Sequence, residues 1–190
     1  FYPTKNMCTG EGGMVTTNDK DLAEKMLSIR NHGRPGSTLG TYSYERLGLN
    51  FRPTDVLMAI GRVQLSRLES FNEQRRKNAE FLNRKLAGTG IITPLEPPGR
   101  IHAYHQYTIR IKDREGLRIF LDSKGIGSGI YYPESLTDLP HLQMHGRTCD
   151  SPNSELASRE VLSLPIHPGL GLEEMERVSD GVIEWMSVND

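Results

Sequence analysis

Lys5, followed by Gly10, Gly12 and Gly13, is the first place in the chain where residue type and spacing offer chemistry. A lysine attacks a carbonyl once its proton is gone, and partial burial or neighbouring cations lower its pKa toward that state. Lysine is seldom buried, so a solvated amine is the ordinary alternative. The glycines permit a nest of backbone N–H groups able to hold an anion, yet a plain turn explains them as well, and their spacing is neither the dinucleotide nor the P-loop pattern. Asn50 and Arg52 stand two apart in an extended segment, hence on one side of it, and the planar arginine fork suits a phosphate. Pro53 and a helix cap at Thr54 account for the same turn without a ligand. Tyr131 and Tyr132, just before Pro133, read either as rigid walls of a substrate pocket or as the end of an edge strand. His102 and His105 alternate with Tyr104 and Tyr107, but on a strand the two histidines face opposite sides, so no metal is expected there. Cys8 has no base near it in sequence, and with Cys149 it forms no disulfide framework; both are expected to be reduced, buried thiols.

These side chains need elements to hold them. Phe1 to Lys5 begins without methionine, inside what reads as the end of an apolar strand, so the start is expected to be a cut end. The glycine loop leads into Met14-Val15-Thr16-Thr17, which has strand propensity. Asn18 or Asp19 then caps an amphipathic helix over 21–30, with Leu22, Met26 and Ile29 at helical spacing and Gly33 as its stop. Residues 33–53, rich in glycine and carrying Tyr42, Tyr44 and Arg46, form a long irregular stretch of the functional kind. From the Thr54 cap, Val56, Ile60, Val63, Leu68, Phe71, Ala79, Leu82 and Leu86 trace one long helical stripe, expected to bend near Ser70 or to join two lobes. Beyond Gly88 the pattern predicts a strand ending at Ile111, a helix over 114–124 stopped by Gly125, and a second strand over 126–132. A short helix capped by Ser154, a strand at 162–164 and an amphipathic helix over 172–186 complete an α/β chain.

Composition sets outer limits. The chain has 190 residues, 36% hydrophobic and 25% charged, enough for a buried core, and a formal net charge of −1. That balance gives no electrostatic reason to expect nucleic acid or an anionic membrane surface as a partner. No apolar run approaches the roughly 20 residues that span a bilayer, so a soluble, cytoplasmic protein is expected.

Taken in order, several segments resemble a known family. Phe1-Tyr2-Pro3-Thr4-Lys5-Asn6 with Thr9-Gly10-Glu11-Gly12-Gly13-Met14-Val15-Thr16-Thr17 is similar to the lysine segment of the DegT/DnrJ/EryC1/StrS sugar aminotransferases, which depend on pyridoxal phosphate. Arg30-Asn31-His32-Gly33, Leu47 through Asp55, the Gln64 to Asn78 helix, His105-Gln106-Tyr107 and Leu162 through Pro168 continue the likeness over nearly the whole chain. The resemblance implies an aminotransferase-like fold, the fold type I class of pyridoxal-phosphate enzymes. Residues 1–87 would be the later part of the cofactor-binding large domain with a long connecting helix, and residues 88–190 the small α/β C-terminal domain. It further implies that Lys5 is the Schiff-base lysine, and that Asn50 and Arg52 reach the cofactor's phosphate in a partner subunit of a homodimer. The amino group would pass, with glutamate as donor, to a keto sugar carried on a nucleoside diphosphate, in surface-polysaccharide or deoxysugar biosynthesis. The family's other cofactor contacts lie upstream of Phe1, so the chain alone is expected to be inactive or nearly so.

Tyr132-Pro133-Glu134-Ser135-Leu136-Thr137 departs from the family's run, with Thr137 standing where a histidine is usual. Two alternatives remain. One is a non-catalytic binding or regulatory protein on the same fold, which the presence of Lys5 disfavours, as it disfavours the family's dehydratase branch. The other is an unrelated nucleotide-binding module that uses the glycine loop.

Overall fold

A computed structural model describes residues 1–35, 42–144 and 150–189. Among the described residues are six α-helices and a two-stranded sheet: α1 (Lys20–Arg30), α2 (Asp55–Lys85), β1 (Tyr107–Arg110), α3 (Arg114–Ser123), α4 (Pro140–Gln143), α5 (Pro152–Glu160), β2 (Val161–Leu164) and α6 (Leu172–Asn189). Two compact units are present, Phe1–Glu69 and Ser70–Asp190. Their boundary falls inside α2, beside Ser70. The cause is the C-terminal half of α2, whose Ala79, Leu82 and Leu86 are buried in the core of the second unit.

Local chemistry explains where the helices begin. The Asp19 carboxylate accepts from the Leu22 N–H at 3.0 Å, the Thr54 hydroxyl from the Leu57 N–H at 3.3 Å, and the Asp113 carboxylate from the Gly116 N–H at 2.9 Å. Each satisfies one of the orphan donors of a first turn. At α6 the bond is reversed: the Glu174 carboxylate reaches back to the Gly171 N–H at 2.8 Å, half of a capping box. Helix α5 starts at Pro152 after Ser151, earlier than the expected cap at Ser154. Proline tolerates a first helical turn because the N–H it lacks has no partner there.

In the second unit, β1 and β2 pair antiparallel, Tyr107 opposite Leu164 and Arg110 opposite Val161. Single bridges extend the sheet on both sides, Ile92 to Arg110 and Gly129 to Ser163. The expected strand over 126–132 thus shrinks to one bridge, because Gly127 and Gly129 supply no side chains to pack and Pro133 supplies no donor. Tyr107, Ile109 and Leu162 from the sheet meet Leu117 and Leu121 of α3 and Met175, Val178, Val182 and Trp185 of α6 in one core.

The first unit is organised differently. The strands expected at 1–5 and 14–17 do not form: residues 14–17 have no ladder neighbour among the described residues, and Met14 and Val15 are exposed. The apolar positions of α1 and of the first half of α2 form stripes as predicted, but Leu22, Ile29, Val56, Ile60 and Val63 are exposed too. Cys8 is half-buried rather than buried, and Cys149 lies outside the described residues.

Candidate functional site

Lys5 lies in a loop closed on itself. The Phe1 carbonyl accepts from the Thr9 N–H at 2.9 Å, and the Lys5 N–H donates to the Tyr2 carbonyl at 3.0 Å. The Phe1 nitrogen lies 2.7 Å from the Gly12 carbonyl oxygen, and the buried Thr9 hydroxyl donates to the Glu11 carbonyl at 2.5 Å. The loop is thereby tied to the glycine turn, where Gly10 and Gly12 have φ of 87° and 138°. Lys5 itself is exposed.

Asn50 and Arg52 sit on a second structure, a strip in which residues 29–34 run against 45–51. His32 N–H donates to Leu49 O, Leu49 N–H to Ile29 O, Phe51 N–H to Arg30 O and Glu45 N–H to Gly33 O, all between 2.9 and 3.0 Å. Two glycines allow this approach: a Cβ on Gly33 would lie 1.7 Å from the Arg46 carbonyl oxygen, and one on Gly48 would lie 2.1 Å from the Gly33 nitrogen. Asn31 bridges to Asn50, and its side-chain oxygen accepts from Arg52 Nη1 at 2.6 Å. This bond uses one of the five guanidinium donors and leaves the rest of an exposed fork for an anion. A primary amine on a tethered loop and an arginine with an amide beside it are the donor types that fit an aldehyde and a phosphate, the reactive group and the anchoring group of pyridoxal phosphate.

In the second unit Tyr131 and Tyr132 are adjacent and exposed, their rings edge to face at 5.9 Å. The Tyr131 ring covers Gly129 so closely that a Cβ there would lie 2.6 Å from it. Thr137 is locally engaged: its hydroxyl is 2.8 Å from that of buried Ser135, which also accepts from the Thr137 N–H at the start of a single 3-10 turn. His102 and His105 precede β1 rather than riding on it; His102 Nδ1 accepts from the Tyr104 N–H at 2.8 Å. No cluster of three or more metal-ligating side chains occurs among the described residues.

Two polar groups escaped the sequence reading. Arg75 of α2 is buried, and its Nη1 donates to the carbonyls of Tyr104 and His105, both at 3.2 Å, fixing a turn in which Tyr104 has φ of 39°. Burial pushes the Arg75 guanidinium below its usual pKa, although it stays a cation. One helical turn on, buried Asn78 donates to the carbonyl of His167 at 3.3 Å. Position 75 lies between Phe71 and Ala79 on the apolar stripe, and that spacing was the available signal. A cleft of about 360 Å³ between Ile92, Arg110, Lys112, Glu160 and Trp185 contains none of the residues chosen from sequence.

Comparison with known proteins gives this arrangement a lineage. A "Pleiotropic regulatory protein" of Geobacillus stearothermophilus is 40% identical over 190 residues, 97% of this chain and 50% of its own length. The dTDP-3-amino-3,4,6-trideoxy-alpha-D-glucose transaminase of Streptomyces venezuelae is 37% identical, over 97% of this chain and 48% of its own. The crystal structure of S. venezuelae DesV, in complex with a ketimine intermediate, superposes with a TM-score of 0.88 at 36% identity, over 98% of this chain and 50% of that one. The chain thus spans about half the length of the curated relatives it matches, and its fold is the α/β fold of these aminotransferases. The model of the DegT/DnrJ/EryC1/StrS aminotransferase family matches residues 1–183, and the chain belongs to that family.

Proposed function

We propose that this chain, joined to the N-terminal portion that its relatives possess and paired with a second copy, transfers an amino group from glutamate to the keto sugar of a nucleoside-diphosphate sugar. The observation that carries the reading is a family match that takes in the Lys5 segment itself, with Lys5 held on a loop tied to the glycine turn. When bound, pyridoxal 5'-phosphate would supply an electron sink for a carbanion at the donor's α-carbon. Lys5 Nζ would hold the cofactor, and the same amine would move a proton to and from that carbon. Arg52 and Asn50 would hold the cofactor's phosphate in the partner subunit's site, with Asn31 orienting the Arg52 fork. Tyr131 and Tyr132 wall the sugar. The small domain begins near residue 88 in this reading, and the enzyme works in the cytoplasm; no described helix is long and apolar enough to cross a membrane.

A second reading has one observation in its favour: the Geobacillus relative carries a regulatory name at 40% identity. The two readings part at Lys5. Borohydride treatment of the protein assembled with its N-terminal portion and pyridoxal phosphate should bleach the visible band and leave a reduced adduct that mass spectrometry maps to Lys5. Lys5→Arg should remove both the adduct and amino transfer. An assembled protein that stays colourless with added cofactor, or a Lys5→Arg variant that still exchanges amino groups, overturns the enzyme reading.

A further inference from the structure

Arg34 is a cation placed among aromatic rings. Its guanidinium carbon lies 4.9 Å from the centre of the Tyr42 ring and 5.5 Å from that of Tyr44, and Nη2 is 3.4 Å from the Tyr44 hydroxyl. Both distances are within the range over which a ring face attracts a guanidinium. Among the described residues Arg34 has no carboxylate partner, since nearby Glu45 pairs instead with Arg46 at 3.6 Å. Its Nε is buried with no hydrogen-bond partner. The two rings are largely uncovered, Tyr42 at 79% and Tyr44 at 58% exposure.

The strip fixes where this cluster stands. Arg34 follows Gly33, whose carbonyl accepts from the Glu45 N–H beside Tyr44, so the cluster occupies the end of the paired segments opposite Asn31, Asn50 and Arg52. A stacked guanidinium lacking a counter-charge favours a phosphate, to which it can donate two parallel bonds, and exposed tyrosine faces favour a flat ring. Few ligands carry both. We propose that Arg34, Tyr42 and Tyr44 form the receptor for the nucleoside diphosphate of the sugar nucleotide, the guanidinium taking a phosphate and a tyrosine face taking the base. The inference rests on the aminotransferase reading and deepens it, by assigning nucleotide recognition to the first unit.

The test uses the protein assembled with its N-terminal portion and pyridoxal phosphate, titrated calorimetrically with uridine diphosphate and thymidine diphosphate. Arg34→Ala and Tyr44→Ala should each weaken nucleotide binding about tenfold or more. Tyr44→Phe, which keeps the ring, should weaken it far less, and Arg34→Lys should fall between. Pyrophosphate should bind more weakly than either nucleotide if a ring face contributes. Should Arg34→Ala fail to fold, the Tyr44→Ala and Tyr44→Phe pair still decides between ring stacking and mere scaffolding. Unchanged nucleotide affinity in folded Arg34→Ala or Tyr44→Ala protein overturns the assignment. Failure of unaltered protein to bind nucleotide, while glutamate still bleaches its cofactor band, overturns this receptor alone. Failure to respond to glutamate overturns the parent reading instead.

Discussion

The two units differ in what keeps them folded. Every apolar side chain buried among the described residues belongs to the second unit, from Ala79 on α2 to Trp185 on α6, and the first unit buries none. Its buried residues include Thr9, Ser28 and Gly33, while Leu47 is 90% exposed and Val15 73%. Backbone hydrogen bonds and glycine-permitted contacts give the first unit its shape, and its apolar stripes on α1 and α2 face outward. Contiguous exposed apolar surface of this kind marks a binding face. The candidate cofactor residues Lys5, Asn50 and Arg52 all lie in this unit. Chemistry and missing apolar cover therefore coincide in the first unit, with the second unit a self-contained platform.

The sharpest way to break that comparison is a pair of truncations. Leu82→Ala removes a fully buried side chain and should destabilise the second unit by about 2–5 kcal/mol. Leu47→Ala removes a nearly fully exposed one and should cost less than about 0.5 kcal/mol in the chain by itself. Trp185, the single tryptophan of the sequence, is buried in the second unit, so its fluorescence during urea unfolding reads the first loss directly. Equal losses would erase the distinction. Next comes a backbone test within the first unit. Gly48→Ala forces a Cβ against the Gly33 nitrogen, where backbone on both sides must move, and should cost roughly 1–3 kcal/mol locally. Hydrogen exchange at His32, Leu49 and Phe51 should accelerate while the Trp185 transition stays in place. A shifted Trp185 transition would mean that the units share their stability.

The same division governs how much could be read from sequence. The caps at Asp19 and Thr54, the length of α2 and the strand before Ile111 were legible because they depend on neighbours a few residues away. Strands at 14–17 and 126–132 were over-read, since β propensity describes a fit to a partner that the described residues do not provide. The stripe of α2 was correct in period but silent about burial, which differs between its halves. The Gly33 and Gly48 contact was hidden because glycine commonly serves as a turn residue, and nothing local marks two of them as meeting. Arg75 was visible in principle as a charge at an apolar position. Of the candidate site, residue types at Lys5, Asn50 and Arg52 suggested roles, while the strip that unites Asn50 and Arg52 with Arg34 is a matter of nonlocal pairing.

The smallest effect separates the units by pH. Tyr107 is fully buried in the second unit, its hydroxyl donating to Asn83 Oδ1 at 2.6 Å, and burial pushes its pKa well above the ordinary value of 10.0. The native state therefore keeps the proton that the unfolded chain releases near pH 10. The stabilisation linked to it is complete below that pH and declines above it, by up to about 1.4 kcal/mol per pH unit until the folded value is reached. Tyr107→Phe should cost about 1 kcal/mol at neutral pH through the lost hydrogen bond, and should flatten the decline above pH 10 as read by Trp185 fluorescence. Tyr104, also raised by burial, leaves a residual slope in the variant. An unaltered slope in Tyr107→Phe would show that this buried phenol does not control the alkaline limit of the platform.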